Sequence, residues 1–405
     1  MSPRKSNPRL VLFALWLMVF SASSQVIIVS PILPRIGEAL GIPEALQGWL
    51  ITSYALMLSV FALITGPISD KIGRRRILLV GCGSMAGALL LHGVADSFFS
   101  LLTVRAVAGA AGGMLSGGAV AYVGDYFPYE RRGWANGWVM SGIAFGQIIG
   151  IPVGTLLADW FGFRWAFLMF AVTMLLATFL IWRFVPQPEV ERDRHPLSLR
   201  RALANYGALL KQPSVVAASV AYLLMFFSIG LYVIYLPTWL EENLGVSGAA
   251  IASLFFVGGI ANVLTGPLAG RLSDEVGRKP LIITSCVGLG LLMPATTYVV
   301  TNMWVAYGMF ALAMVMVAMR MSPLQSLMTA LAPAQRRGIL MSLAVAIGQL
   351  GIGIGGAVAG LAYTEYGYLS NTVLAAVSIG LMAWLVQRYL PEPENERPAP
   401  EVAEA

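Results

Sequence analysis

Gly66-Pro67-Ile68-Ser69-Asp70-Lys71-Ile72-Gly73-Arg74-Arg75 returns 204 residues later as Gly270-Arg271-Leu272-Ser273-Asp274-Glu275-Val276-Gly277-Arg278-Lys279. Further matches fall in the same order: Cys82 with Cys286, Arg131-Arg132-Gly133 with Arg336-Arg337-Gly338, and Gly146-Gln147 with Gly348-Gln349, at spacings of 204, 205 and 202. Four matches at nearly one spacing mark a unit written twice. The expected organisation follows: a first unit over 1–185, a linker over 186–212, a second unit over 213–390 and a disordered tail over 391–405. The linker is rich in proline and mixed charge, and the tail in proline and glutamate.

The charged turns stand out because almost everything around them is apolar. Of the 405 residues, 58% are hydrophobic and only 11% charged, with mean hydropathy +0.76. A soluble chain of this size carries about 25% charge. Residues 10–34, 45–69, 77–95, 133–158, 165–182, 212–240, 243–270, 338–364 and 366–387 contain no Lys, Arg, Asp or Glu. Each is long enough to cross hydrocarbon as a helix, for which about 18 residues suffice. Residues 97–124 form another span, interrupted by Arg105, and 280–335 hold two, with a break at Thr301-Asn302 and one charge, Arg320. The total predicted is twelve helices, six per unit, in an all-α membrane protein.

Charge also sets the expected orientation. Apart from Arg35, Arg105, Arg164 and Arg320, the 26 Lys and Arg residues fall in alternate connections or at the two ends of the chain. That asymmetry predicts both termini in the cytoplasm. The net charge of +6 is therefore no nucleic-acid footprint. The first apolar stretch is too long for a signal-peptide core and is read as a retained helix. Cys82 and Cys286 fall in separate spans and suggest neither a disulfide framework nor a metal site.

The Gly66–Arg75 segment resembles the loop 2–3 signature of the major facilitator superfamily, Gly-x-Leu-x-Asp-x-x-Gly-Arg-Arg/Lys, and the 270–279 segment resembles its second-half counterpart. The likeness extends over about 10–390. It implies two six-helix bundles that expose a central site alternately to each side, the drug/proton antiporter-like branch being the nearest pattern. It further implies a conformational lock at the cytoplasmic ends: Gly66, Asp70, Gly73 and Arg74 with Asp125 in the first half, and Gly270, Asp274, Gly277 and Arg278 in the second. The plainer alternative is a charged turn that only fixes topology.

Arg105 lies about a third of the way along the fourth span, where a charge is costly unless water or a partner meets it. Leu101-x-x-x-Arg105-x-x-Ala108-Gly109 is similar to the fourth-helix motif of proton-coupled members, with Ala108 in place of Gln. The alternative is an arginine bonded to backbone carbonyls between helices. Gly109, Gly113 and Gly117 recur every four residues, which predicts one smooth packing face. In the fifth span, Gly146, Gly150, Pro152 and Gly154 resemble the antiporter motif Gly-x-x-x-Gly-Pro-x-x-Gly-Gly, with Ile151 inserted before the proline. Arg320 is read either as a second cavity cation or as a side chain snorkelling to the inner headgroups. Gln25, Gln147, Asn262, Gln325 and Gln349 complete the candidate substrate or coupling set. Tyr222, Phe226, Phe227, Tyr232 and Tyr235 are read as an aromatic wall or as packing.

All twenty acidic residues lie in connections, tails or span ends, so no mid-span carboxylate is available as a proton site. His92 sits near the outer end of the third span and is a poor relay candidate. The expected function is secondary transport of a small organic or amphipathic solute across the inner membrane by a monomer, in the efflux direction, with a coupling proton or counter-anion. The alternatives are an organic-anion uniporter, exchanger or importer using Arg105 and Arg320, and a non-transporting sensor. No phosphate-binding loop, metal cluster or nucleophile–base set is evident, so neither an enzyme nor a cofactor is expected.

Overall fold

In the computed structural model, residues 7–188, 206–331 and 337–391 are described; the linker residues 189–205, the tail 392–405, Arg4, Lys5, Arg336 and the side chain of Asp70 lie outside them. Among the described residues, twelve helices are long and apolar enough to cross a membrane: α1 Pro8–Ile27, α2 Glu44–Gly66, α3 Arg74–Val94, α4 Phe98–Tyr126, α5 Glu130–Phe161, α6 Phe163–Phe184, α7 Pro213–Leu244, α8 Gly248–Val276, α9 Arg278–Val299, α10 Met303–Met328, α11 Gly338–Tyr366 and α12 Tyr368–Tyr389. A further helix, Val29–Leu40, prolongs α1. Asn302, at the predicted break, accepts a bond from the Val305 amide and so caps α10.

Packing repeats as the sequence does. Helix α1 lies on α5 and α6, α2 on α4, and α3 on α4 and α6; α7 likewise lies on α11 and α12, α8 on α10, and α9 on α10 and α12. The backbone keeps the same register: left-handed Gly41, Gly73 and Gly162 are followed by Gly245, Gly277 and Gly367, 204, 204 and 205 residues on. At Gly73 and Gly277 (φ 102° and 103°), the turn between two helices needs a conformation that a Cβ would oppose.

The halves meet where α2 lies on α11, where α5 lies on α8, and where the prolongation of α1 lies on the end of α7 and on α8. The basic end of the molecule carries Arg74, Arg75, Arg76, Arg278 and Lys279, and toward the far end several hydrogen bonds cross the seam. Ser30 Oγ donates to Val233 O at 2.8 Å, Thr52 Oγ1 to Gly353 O at 2.6 Å and Ser59 Oγ to Ala346 O at 2.8 Å.

Helix α4 departs from the smooth face expected of it. Gly109 and Gly113 do pack, with built Cβ atoms only 2.2 Å from Tyr54 O and 2.6 Å from Leu58 O. Gly117 instead adopts φ 71° and divides the span into Phe98–Leu115 and Gly118–Tyr126. We expect Gly117→Ala to lower stability by about 1–2 kcal/mol, because alanine resists the left-handed region. A thermal-unfolding midpoint unchanged from wild type would refute that role.

In α5 the inserted Ile151 has a visible consequence. Gly146–Gly150 form a π turn, in which the Ile151 amide reaches back to Gly146 O. A π turn accommodates one extra residue without breaking the helix. Gly146, Gly150 and Gly154 keep their packing function, facing Ser24 and Ile28 of α1 and its junction. Pro152 sits in the first turn of the following segment, Ile151–Phe161, where its missing N–H costs little.

Candidate functional site

Close approach of α2 and α4 through Gly109 and Gly113 lets Arg105 lie wholly inside the first half, 1% exposed. Its Nε donates to Leu50 O at 3.3 Å, and Nη1 to Gln25 Oε1 at 3.1 Å and Gln25 O at 3.5 Å. The guanidinium stands 4.5 Å from the Tyr54 ring centroid, and the Tyr54 hydroxyl accepts from Gln25 Nε2 at 2.9 Å. Nη2 has no hydrogen-bond partner. Arg105 thus bonds backbone carbonyls on two helices, as the plainer reading has it, and keeps one donor unused. Among the described residues, no ion pair joins it to a carboxylate. His92 is buried beside it in the same half, with Nδ1 2.8 Å from Ala88 O and the ring stacked on Phe167 at 4.1 Å.

Arg320 goes elsewhere. It is fully buried and interacts with the Cys286 thiol of α9. One turn earlier, Met316 O accepts from Ser285 of α9 at 2.5 Å, which fixes the direction of that face. Helix α9 packs on α10 and α12, so Arg320 points into the second half rather than toward Arg105 or the seam. Full burial also corrects the snorkelling reading. Its Nε, Nη1 and Nη2 have no oxygen or nitrogen acceptor, and the Cys286 sulfur is a weak one.

The polar candidates separate into pairs. Asn262 Nδ2 donates to Gln147 Oε1 at 3.1 Å, across the seam at the π turn. Gln325 Nε2 reaches the Tyr222 hydroxyl at 3.4 Å within the second half, and Gln349 Oε1 is unpartnered. The aromatic row of α7 is packing and closure: Tyr222 and Phe226 flank Gly348, Phe227 backs Gly355, and Tyr232 bonds Thr296. Tyr235 joins the halves, its hydroxyl donating to Glu44 O at 2.6 Å and accepting from the Gly48 amide at 3.0 Å.

Sequence reasoning missed the closure of the far end. Arg35, on the prolongation of α1, pairs with Asp159 of α5 and, across the seam, with Glu241 of α7, each at 2.9 Å. Burial pulls the Arg35 pKa down, but Glu241 and Asp159 outweigh it and leave it raised, so the guanidinium stays charged. The available signal was that only Arg35 and Arg164 break the charge asymmetry of the connections. At the basic end, Arg74 Nε meets Asp125 at 2.8 Å and Nη1 meets Ser69 Oγ at 3.1 Å, while Arg278 lies 3.9 Å from Asp274. Gly66 and Gly270 have open space or ordinary contact around them.

The arrangement is a duplicated helical bundle, bonded shut across one end, with buried polar groups at mid-depth. The model of the Major Facilitator Superfamily matches residues 15–242 and 218–405. The multidrug resistance protein MdtG of Salmonella typhi is 31% identical over 290 residues, 69% of this chain and 70% of that protein. The uncharacterized MFS-type transporter YceJ of Bacillus subtilis (strain 168) is 25% identical over 354 residues, 86% and 89% of the two chains. The crystal structure of a D-xylose-proton symporter superposes with a TM-score of 0.79 at 18% identity, covering 95% of this chain and 98% of the other. This chain belongs to the Major Facilitator Superfamily, in its drug/proton antiporter-like branch, and is a multi-pass inner-membrane secondary transporter of a small molecule.

Proposed function

We propose that the chain exports small organic or amphipathic solutes by alternating access, as a proton-driven monomer with its basic end in the cytoplasm. The observation that carries this reading is the bonded far end of the seam. Arg35–Glu241, Ser30–Val233 and Thr52–Gly353 tie the halves at the far end, and the tie at mid-depth is Gln147–Asn262. Such a bundle stands in the inward-facing half of a cycle, and the far end is the outer one. Arg105 with Gln25, Gln147, Asn262 and Gln349 contribute the polar part of the solute path. Asp70, Arg74, Asp125, Asp274 and Arg278 hold the cytoplasmic ends in the opposite state. The multidrug resistance relatives support export as the direction.

Transport into proteoliposomes, with a panel of amphipathic cations, neutrals and anions and with or without a pH gradient, tests this reading. One proton exchanged per solute sustains about a tenfold solute gradient for each pH unit. A second reading has a specific observation behind it: Arg105 keeps a free donor and has no ion-paired carboxylate, which suits an organic anion. Movement of anions alone, indifferent to the pH gradient, overturns the export reading in favour of that second one.

A further inference from the structure

Both described ends of the linker are fastened to the first half. At its start, Tyr122 of α4 donates its hydroxyl to Pro186 O at 2.6 Å, and the Arg75 amide donates to Gln187 Oε1 at 3.2 Å. Gln187 packs on the turn at Gly73, where a built Cβ would lie 2.7 Å from its Nε2. At the other end, Tyr206 donates its hydroxyl to Leu63 O of α2 at 3.0 Å.

The Leu63 carbonyl is open to that bond for a reason written in the sequence. The helix of α2 runs past its membrane span to Ile72. Within it, Leu63 O would accept from the amide four residues on, but that residue is Pro67, and proline has no N–H. A backbone acceptor that loses its helical donor needs another partner, and the Tyr206 hydroxyl supplies one. The matching residue in the second half is Arg271, which has an amide, so the vacancy is not repeated at that place. Burial raises the Tyr206 pKa from its ordinary value, so the hydroxyl keeps its hydrogen at neutral pH.

A run of backbone bonds joins Tyr206 to the second half. Residues 206–209 form a helical turn, and Leu209 is fully buried. Leu210 N donates to Tyr206 O at 3.0 Å, Gln212 N to Leu209 O at 3.1 Å and Val216 N to Gln212 O at 3.1 Å, which leads into α7. Leu63 belongs to the first half. When the halves turn against each other, the distance from Leu63 O to the start of α7 changes, and a hydrogen bond is lost beyond about 3.5 Å.

We propose that Tyr206 is a latch: the linker end grips α2 through the carbonyl vacated by Pro67, holds the inward-facing arrangement, and lets go when the basic ends close. The latch rests on the alternating-access reading above and gives the linker a part in it beyond tethering. One neutral hydrogen bond made in one state alone shifts the population between the two by about two- to tenfold.

The test uses the full chain in lipid nanodiscs, first without solute. Spin labels are placed at Trp134→Cys and Val276→Cys, exposed positions at the basic ends of α5 and α8. Cys82 and Cys286 are buried and stay in place. Tyr206→Phe removes the hydroxyl and keeps the ring, and it should raise the short-distance population about two- to tenfold. Pro67→Ala returns an amide to the helix, so in that background Tyr206→Phe should add less than about twofold. Two populations in wild type that Tyr206→Phe leaves unmoved overturn the latch alone. An undiminished effect of Tyr206→Phe in the Pro67→Ala background overturns Leu63 O as its target. A single distance in wild type and every variant, unchanged when the amphipath panel is added, overturns the alternating-access reading and the latch with it.

Discussion

Gly48→Val is expected to hold the outer end open and to cut transport by at least about tenfold. A Cβ on Gly48 would lie 1.9 Å from the Gly356 carbonyl oxygen, so the clash is with the backbone of α11 and no rotamer change relieves it. The adjoining contacts have no slack: the Gly48 amide is bonded to Tyr235, and a Cβ on Gly360 would meet Tyr235 Oη at 2.6 Å and Ala45 O at 2.9 Å. In an outward-open state α2 and α11 separate here, and the added methyls meet no backbone. Overpacking costs about 1–3 kcal/mol and falls on the closed state alone, which shifts the population about 5- to 150-fold toward opening. Ser30→Cys, at a position buried in the seam, reports the shift through its rate of modification by a membrane-impermeant maleimide. Faster labelling in the Gly48→Val background, with solute flux lost, is the expected result. Unchanged labelling and normal flux would show that the outer seam does not need to close.

The same seam shows what the sequence made legible. The turns at 66–75 and 270–279 were readable because charge is rare in this chain and therefore carries position. The glycine pairs Gly41/Gly245 and Gly162/Gly367 mark the duplication equally well in the backbone. They were invisible in a chain with 43 glycines, because a letter does not state its φ. Ile151 looked like a flaw in a motif and is a residue absorbed by a π turn, which sets Gln147 against Asn262. Arg35 and Glu241 stand 206 residues apart with no periodicity linking them, so only the fold could pair them. The two buried arginines looked alike because hydropathy gives depth along a span and says nothing of the direction a side chain takes around it. That direction separates them: Arg105 turns toward α1 and α2, and Arg320 toward α9.

Arg105→Ala is expected to abolish solute-dependent stabilisation and to lower transport about 100-fold, while Arg320→Met leaves both within about twofold. At Arg105, one side chain ties α4 to α1 and α2 through Gln25 and Leu50 and keeps Nη2 unused. Hydrogen bonds to a charged group contribute about 1.5–3 kcal/mol each, so losing two accounts for a change of that size. Arg105→Lys should rescue little, since an ammonium cannot reproduce the planar fork that serves two helices at once. Arg320 has no oxygen or nitrogen acceptor and meets the Cys286 thiol, a weak acceptor, so its burial is an electrostatic cost met by a weak bond. Replacing buried charge with an apolar side chain of similar volume is neutral or stabilising by about 1–4 kcal/mol, and the Arg320→Met midpoint should hold or rise. A thermal-shift screen of purified wild type and the three variants against the anion and amphipath panel reads the midpoints and ligand responses, and flux in proteoliposomes with the same panel reads transport. Loss of the ligand response in Arg320→Met with its retention in Arg105→Ala would mean that the solute path runs through the second half, and the assignment of Arg105 would fall.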